Sequence, residues 1–298
     1  MAADVEFRSF DGTDNNLEHA EWGAAETPLL RLTTAEYGPG MSGIFPSLAP
    51  RVDSQGTTIN PRTVSNVLFD QDAPQLNDRG LTSFVFQWGQ FVDHDLDLTE
   101  DFPPGGRPGL PGEYIGFSVP TDGTEAELPP GTIIPMLRSA FVWDDQGVAQ
   151  QVNSISSYID ASNVYGSDDA RAASLRAGYG GFLLTSDGAS NQADGQGAYL
   201  PLNFTGEGGY LPNAAPPTTG TGVPLAPDDL FVAGDVRANE QPGLTSLHTL
   251  FVREHNYQAH RIAQQQGWDE TQLADPAVDE YVFQMARAIV GAEMQAIT

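Results

Sequence analysis

The sequence contains neither lysine nor cysteine, and all 13 of its basic residues are therefore arginines. Without lysine, the chain cannot form a Walker A phosphate loop, a Schiff base or an ordinary pyridoxal phosphate site. Without cysteine, it cannot form disulfides, iron–sulfur clusters, cysteine-ligated zinc or a thiol nucleophile. These two absences exclude several large classes of enzyme before any motif is considered.

Long apolar runs and positive charge are also lacking. No stretch of 18 apolar residues occurs, so we expect no membrane span. The first residues, "MAADVEFRSFDGTD", lack the basic and apolar regions of a classical signal peptide. The formal net charge is -27 and the pI is about 4.1, which argues against nucleic acid or an anionic membrane as a partner. Calcium or another cation is the better expectation.

Apolar residues at helical spacing predict three main helices. The first runs from Leu81 and ends near His94, with Trp88 and Val92 directed to the core. The second has Pro242 in its first turn, and the third starts at Asp275. The predicted apolar stripes are Leu244, Leu247, Leu250, Phe251 and Ile262 in the second helix, and Val278, Tyr281, Val282, Met285, Ile289, Ala292 and Ala296 in the third.

Glycine and proline predict loops elsewhere. Residues 1–78 carry many turn residues, and we expect extended segments and loops there. Residues 102–135 predict a long ordered loop, and residues 178–229 are again rich in Gly, Asn and Pro. A short helix is expected after Ser167, which is the predicted cap. With 298 residues and 40% hydrophobic residues, the chain can bury a sizeable core, and the predicted class is mainly α with little β.

The stretch "QWGQFVDHDLDLTED" places His94 between Asp93 and Asp95 at the end of the first helix. Gln90 and His94 share one helical face, one turn apart. A satisfied histidine near a helix end explains this pattern equally well. An EF-hand does not, because the glycine position of that loop is Leu98 and its bidentate glutamate position is Pro104.

Two other segments offer polar groups. "SSYIDAS" carries Ser156, Tyr158, Asp160 and Ser162 at alternating positions, and such oxygen donors suit a hard cation. "GDVRANEQPG" places Arg237 and Glu240 just before the second helix, where a salt bridge is the ordinary interpretation. HExxH and GxSxG are absent, which excludes the familiar metallo- and serine hydrolases.

Several long motifs agree with one family. "RSFDGTDNNLEH", "WGAAETPLLRL", "DRGLTSFVFQWGQFVDHDLDLTED", "SSYIDASNVYGS" and "FVAGDVRANEQPGLTSLHTLFVREHN" resemble, in order and spacing, the animal-type haem peroxidases of the peroxidase–cyclooxygenase superfamily. The resemblance runs from about residue 7 to the last residue. It implies one partial, mainly helical haem peroxidase domain over 1–298, with a loop-rich N-terminal wrap at 1–78 and the distal haem-side helices and calcium loop at 79–298.

The resemblance also implies roles for individual residues. His94 would be the distal base, Arg237 its cationic partner, and Gln90 a neighbour of the halide position. Asp93 and Glu240 match carboxylates that can form ester bonds to haem b. The implied calcium ligands are Asp95, Ser156, Asp160, Ser162 and the backbone carbonyl of Tyr158, with a serine where threonine is common in the family.

The implied activity is reduction of hydrogen peroxide with oxidation of a halide, thiocyanate or small organic reductant. The carboxylate pair favours the peroxidase branch over the fatty-acid dioxygenases. None of the remaining histidines (His19, His248, His255 and His260) occupies the family's proximal motif, and the last helix stops without a cap. We therefore expect a C-terminal segment or a second chain to carry the proximal histidine, or else a haem-free, calcium-stabilised remnant that binds a partner. An acidic calcium-binding protein also favours secretion.

Overall fold

The computed structural model describes residues 6–33, 52–99, 116–123, 125, 127–135, 139, 141–146, 148–186, 188–189, 199–203 and 225–298. The chain forms two compact units. The first unit comprises residues 1–27, 82–98 and 153–298, and the second comprises 28–81 and 99–152. The prediction of one domain over 1–298 stays a prediction.

Besides a 3-10 turn at Pro227–Asp229, seven α-helices occur in the described part of the chain: α1 Pro61–Phe69, α2 Phe84–Asp93, α3 Ser162–Tyr165, α4 Asp169–Ser174, α5 Pro242–Gln266, α6 Glu270–Leu273 and α7 Pro276–Ile297. The strands are short: β1 Thr27–Pro28, β2 Phe117–Ser118, β3 Ile133–Ile134, β4 Phe141–Trp143, β5 Ala149–Asn153, β6 Leu184–Thr185 and β7 Gly188–Ala189. The predicted mainly α class is confirmed. None of the described helices combines the length and apolarity that a membrane crossing needs.

The first unit is organised around α5 and α7. Helix α5 starts where the Gln241 side chain accepts the N–H of Gly243, with Pro242 in the first turn, where no hydrogen-bond donor is required. It ends at Gly267, whose φ of 69° is the left-handed conformation that glycine adopts without strain. Helix α7 begins after Asp275, which caps the N–H of Ala277. The predicted starts of both helices are confirmed.

The core face of α7 differs from the predicted stripe. The fully buried apolar residues are Val282, Phe283, Ala286, Val290 and Met294, whereas Val278, Tyr281, Met285 and Ile289 are only partly buried and Ala292 and Ala296 are exposed. In α5, Leu250 is 54% exposed, although its predicted partners in the stripe are buried. The true α7 face is rotated by about one residue, because α7 packs against both α5 and the segment before it, and sequence spacing alone cannot distinguish adjacent faces of a largely apolar helix.

Helix α2 contributes Phe91 to this core. Phe91 is fully buried, stacks on Phe251 of α5 with ring centroids 5.2 Å apart, and meets the ring of His248 edge-on at 5.0 Å. The predicted end of α2 near His94 is confirmed, and Val92 is buried as expected. The first apolar positions, Leu81, Phe84 and Val85, are exposed rather than packed.

The second unit contains β-structure and one helix that the sequence did not predict. Strands β4 and β5 form an antiparallel hairpin with Val142 opposite Gln150, in a sheet of order β1-β5-β4, and β2 pairs with β3. The expectation of loops throughout 1–78 was wrong at α1. Its start carries a recognisable signal, because the Asn60 side chain accepts the N–H groups of Arg62 and Thr63 and Pro61 follows the cap.

The short helix α4 is capped differently from the prediction. Asp168, not Ser167, is the N-cap, and its carboxylate accepts the N–H of Arg171. Ser167 instead accepts the N–H of Ser156 through its hydroxyl. Within 102–135, the only regular elements in the described part are β2 and β3, while residues 100–115 lie outside the described residues.

Candidate active site

His94 lies at the C-terminal end of α2, where its backbone N–H donates to the carbonyl of Gln90. Its ring is turned into the protein and the residue is only 2% exposed. The two flanking acids point elsewhere, since the Asp93 side chain is 56% exposed and Asp95 is fully buried. Successive residues at a helix end project about 100° apart, so three neighbours enter three different surroundings.

The turn before α5 carries an aspartate and an arginine that form an ion pair. The buried Asp235 carboxylate accepts the Arg237 Nε–H at Oδ1 and an Nη2–H at Oδ2, both at 2.9 Å, and Oδ1 also accepts the Arg237 backbone N–H at 2.8 Å. The glycine before it is required, because a Cβ on Gly234 would lie 2.5 Å from the backbone of Tyr165. This close approach lets the Asp235 N–H donate to the carbonyl of Asn163 at 3.0 Å.

His94 and Arg237 meet at Asp235. The Nδ1 atom of His94 lies 3.4 Å from Asp235 Oδ1, on the carboxylate that holds Arg237; this is a close contact that does not meet hydrogen-bond geometry. On the opposite edge of the imidazole, Nε2 lies 3.8 Å from Glu240 Oε2, and Arg237 Nη1 lies 3.9 Å from Asp93 Oδ2. The structure therefore brings His94, Arg237, Asp93 and Glu240 into one cluster.

Burial determines the charges in this cluster. Desolvation lowers the pKa of His94 to about 4, against the opposing influence of Asp235, so the ring is neutral near neutral pH. Burial alone would raise the pKa of Asp235, but its hydrogen bonds with Arg237 and the charge of that guanidinium lower it. The cluster thus combines a neutral imidazole with an ionised aspartate and a permanently charged arginine.

Gln90 also belongs to the cluster. Its side-chain amide donates to Glu240 Oε2 at 2.9 Å, and its carbonyl oxygen accepts from Gln241 Nε2 at 3.0 Å. Gln241 also donates to Gln87 Oε1 at 2.6 Å. Beside these amides runs an open groove of about 990 Å³ along the first turns of α5, lined by polar and charged residues, among them Gln87, Glu240 and Arg253, and by apolar side chains such as Leu247. The Glu240 side chain is 42% exposed.

The predicted cation ligands also come together. The Asp95 carboxylate accepts four hydrogen bonds, from the N–H groups of Asp160, Ala161 and Asn163 and from the Ser162 hydroxyl, at 2.8–2.9 Å. The Ser156 hydroxyl lies 3.5 Å from both oxygens of Asp160. The Tyr158 hydroxyl donates to the carbonyl of Trp22, and the predicted ligand of this residue is its backbone carbonyl.

This donor set fits a hard cation. Every side-chain ligand is an oxygen, and the two carboxylates are almost wholly buried. Burial, and then the charge of Asp160, raise the pKa of Asp95 to about 7, and burial likewise raises the pKa of Asp160. Two buried carboxylates that lie close together repel each other when both are ionised, and a bound cation would remove that repulsion. No cluster of three or more His, Cys, Asp or Glu side chains that could hold a metal occurs among the described residues.

Sequence reasoning missed two buried groups. Asp235 stands in the quoted "GDVR" segment, but its contact with His94 joins residues far apart in sequence and no local pattern reports it. His248 is fully buried behind His94, with ring centroids 6.3 Å apart, and neither of its ring nitrogens makes a hydrogen bond to a described residue. Burial lowers the pKa of His248 to about 3, so this ring is neutral too.

The other histidines either lie away from the groove or use both ring nitrogens in hydrogen bonds. His255 uses both ring nitrogens, one with the Tyr165 hydroxyl at 2.8 Å and one with the carbonyl of Gly181 at 2.7 Å. His19 stacks on Trp22 with ring centroids 3.8 Å apart. His260 lies toward the far end of α5, about five turns after the helix starts at Pro242.

Comparison with known proteins identifies the family. The family model for the animal haem peroxidase matches residues 7–298. Peroxidasin homolog of Mus musculus is 34% identical over 322 residues, which cover 100% of this chain and 20% of the relative. Myeloperoxidase of Mus musculus is 31% identical over 311 residues, which cover 98% of this chain and 40% of the relative. The chain thus spans well under half the length of these relatives.

Solved structures agree. Peroxidase A from Dictyostelium discoideum superposes with a TM-score of 0.69 and 26% identity, covering 99% of this chain and 52% of that one. Fatty acid alpha-dioxygenase of Oryza sativa has a TM-score of 0.60 at 21% identity, which shows a shared fold alone. With a family model that spans residues 7–298, the chain belongs to the animal haem peroxidase family.

Proposed function

We propose that this chain provides the distal side of a haem peroxidase that reduces hydrogen peroxide and oxidises a halide, thiocyanate or organic donor. The observation that carries the proposal is the pairing of a buried, neutral His94 with Arg237 through the single carboxylate of Asp235. This combination offers a proton acceptor and a fixed positive charge side by side.

The residues present suit haem. Asp93 and Glu240 are exposed carboxylates beside His94 and Arg237, so both could form ester bonds to haem, and Glu240 also lines the open groove. When bound, haem would supply the iron redox chemistry by which peroxide is reduced and the donor oxidised. The protein's contribution is to handle the proton and the charge around that group.

His94 serves as the proton carrier. Its pKa of about 4 leaves the ring unprotonated near neutral pH, so it can take a proton from hydrogen peroxide and return it to the leaving oxygen. Its Nε2 faces the half-exposed Glu240, whereas Nδ1 faces the buried Asp235. We therefore assign proton transfer to Nε2.

Arg237 stabilises the negative charge that develops on the departing oxygen. A guanidinium remains charged at any physiological pH, and the bidentate contact with Asp235 fixes its plane. Gln90 holds Glu240 by a hydrogen bond and would border the position of a small anion or donor.

Calcium is proposed at the Asp95 site. The carboxylates of Asp95 and Asp160, the hydroxyls of Ser156 and Ser162 and the backbone carbonyl of Tyr158 would hold it. Because Asp95 is next to His94 in sequence, this ion would fix the end of α2 on which the proton carrier stands.

The proximal ligand is proposed to come from outside these 298 residues, in a further segment or a second chain. His255 uses both ring nitrogens, and His248 lies buried on the inner side of His94. Because the chain is strongly acidic, we also propose that the protein is secreted.

Haem binding by the purified chain tests the proposal. Haem is titrated into the wild type, His94→Ala and the exposed control His19→Ala, with free imidazole added as a substitute axial ligand, and the Soret band and peroxide consumption are recorded. We expect the wild type and the control to bind haem equally. Removal of His94 should leave binding intact but lower the rate of peroxide consumption by about 100-fold or more, the usual contribution of a general base.

Two results would contradict this assignment. Absence of a Soret shift in the wild type would favour a haem-free, calcium-stabilised binding protein. Peroxide consumption that survives His94→Ala unchanged would remove His94 from the role of proton carrier.

A further inference from the structure

The Asp235 carboxylate is the buried acid that lies against both His94 and Arg237. It is 3% exposed, it makes three hydrogen bonds with Arg237, and its Oδ1 atom lies 3.4 Å from His94 Nδ1. One side chain thus touches both groups to which the proposed function assigns chemistry. Neither composition nor spacing indicated this residue.

The position of Asp235 restricts the tautomer of His94. In a neutral imidazole one ring nitrogen carries the proton and the other carries a lone pair. If Nδ1 carried the lone pair, it would face a carboxylate oxygen that offers only lone pairs. With the proton on Nδ1, this approach to a buried carboxylate becomes attractive. The lone pair on Nε2 then faces Glu240, but that carboxylate is more distant, at 3.8 Å, and 42% exposed, so water screens its repulsion.

Asp235 restricts Arg237 in a second way. The Nε and Nη2 groups bind the two carboxylate oxygens in parallel, and this fork geometry sets the plane of the guanidinium as well as its position. The Nη1 group remains directed toward the exposed Asp93. A monodentate or absent partner would leave the long side chain free to rotate.

Asp235 is itself fixed by the backbone. Its N–H donates to the carbonyl of Asn163, and the Asn163 side chain donates to the carbonyl of Phe91 at 2.7 Å, one turn before His94. The same Asn163 gives its own N–H to Asp95. The turn before α5 and the end of α2 are therefore both hydrogen-bonded to Asn163, which fixes the distance between Asp235 and His94.

We propose that Asp235 is a positioning residue that holds His94 in the Nδ1–H tautomer and fixes the plane of Arg237. Its meaning for catalysis rests on the proposed function, whereas the arrangement itself concerns this chain alone. The anionic form is favoured because the hydrogen bonds and charge of Arg237 lower the pKa of Asp235.

Nitrogen NMR of the haem-free chain near neutral pH tests the proposal. Long-range proton–nitrogen spectra distinguish the two imidazole tautomers, and solvent exchange of the Arg237 Nε–H reports its hydrogen bond. We expect the wild type to show His94 with the proton on Nδ1 and a slowly exchanging Arg237 Nε–H. In Asp235→Asn, the tautomers should become mixed and the exchange should accelerate by about tenfold or more, as expected for loss of a charge-assisted hydrogen bond.

Asp228→Asn is the matched control, because Asp228 is an exposed aspartate a few residues earlier. It should reproduce the wild-type spectra. The wild-type spectrum tests the tautomer even if Asp235→Asn fails to fold. A wild-type His94 that carries its proton on Nε2 overturns the proposal. A folded Asp235→Asn variant with unchanged tautomer and exchange does so as well.

The test also separates this proposal from the peroxidase function. A chain that fails to bind haem but shows the Nδ1–H tautomer refutes the function and supports the positioning role. A chain that binds haem and consumes peroxide with His94 in the other tautomer refutes only the role of Asp235.

Discussion

His94, His248 and His255 are all buried, but their surroundings give them different properties. His255 is satisfied on both sides: the carbonyl of Gly181 must accept from Nε2–H, so Nδ1 accepts from the Tyr165 hydroxyl. His94 faces one carboxylate, and His248 makes no hydrogen bond to a described residue. The sequence does not distinguish these three histidines, whereas the structure shows that each has different neighbours.

Replacement of His255 gives a prediction at the residue scale. Burial lowers the pKa of His255 to about 4, although the Gly181 carbonyl opposes this, while an unfolded chain has a histidine pKa of about 6.5. Between these values the unfolded state binds a proton that the folded state does not. The stability contributed by the neutral ring is thus present above about pH 6.5 and is lost as the pH falls toward about 4.

We expect the wild type to lose up to about 1.4 kcal/mol of unfolding free energy per pH unit more than His255→Gln in this window. Urea unfolding of both proteins at several pH values measures the difference. The exposed variant His19→Gln should follow the wild type. Parallel pH profiles for the wild type and His255→Gln would show that His255 is not held neutral by burial.

Helix α2 acts as an element by presenting three different side chains at one end. Asp93 faces solvent and Arg237, His94 faces Asp235, and Asp95 caps the turn at residues 160–163. Phe91 anchors the same end against Phe251 of α5. The helix end is therefore defined by packing on one side and by the Asp95 hydrogen bonds on the other.

Calcium should strengthen this connection between α2 and the loop that precedes α3. A ligand that binds only the folded state stabilises it by about 2.7 kcal/mol at 100 times its dissociation constant. We expect the melting temperature to rise with calcium and to fall on addition of EGTA, and Asp95→Ala to abolish the difference. Differential scanning calorimetry provides the measurement.

Asp97→Ala serves as the control, since Asp97 is an exposed aspartate two residues further on and is not among the proposed ligands. It should keep the calcium response. An identical melting temperature in calcium and in EGTA for the wild type would exclude a calcium site that contributes to stability.

The whole molecule carries a net charge of -27, to which the absence of lysine contributes. Most of the Asp and Glu residues in the described part of the chain are solvent-exposed, so their mutual repulsion is spread over many sites rather than confined to one. A net charge so far from zero keeps a protein soluble but disfavours its compact state. Local ion pairs such as Arg62–Glu125 and Arg176–Asp279 offset only a small part of this charge.

Monovalent salt should therefore stabilise the chain. The screening length falls from about 30 Å at 0.01 M to about 8 Å at 0.15 M ionic strength, which weakens the repulsion between distant carboxylates. We expect the melting temperature to rise by a few degrees over this range in EGTA-treated protein, equally for NaCl and KCl. An unchanged or lower melting temperature would mean that repulsion does not limit stability.

The sequence by itself determined the helical class, the starts of α5 and α7, the end of α2 and the family, because caps, prolines and long motifs are local or linear features. It did not reveal α1, the rotation of the α7 core face or the exposure of Leu250, since these depend on which neighbours each helix packs against. In the candidate site, the motifs singled out His94, Arg237 and Glu240. Only the tertiary structure placed Asp235 between His94 and Arg237 and buried His248 behind them, because contacts between residues distant in sequence leave no periodic trace in either segment.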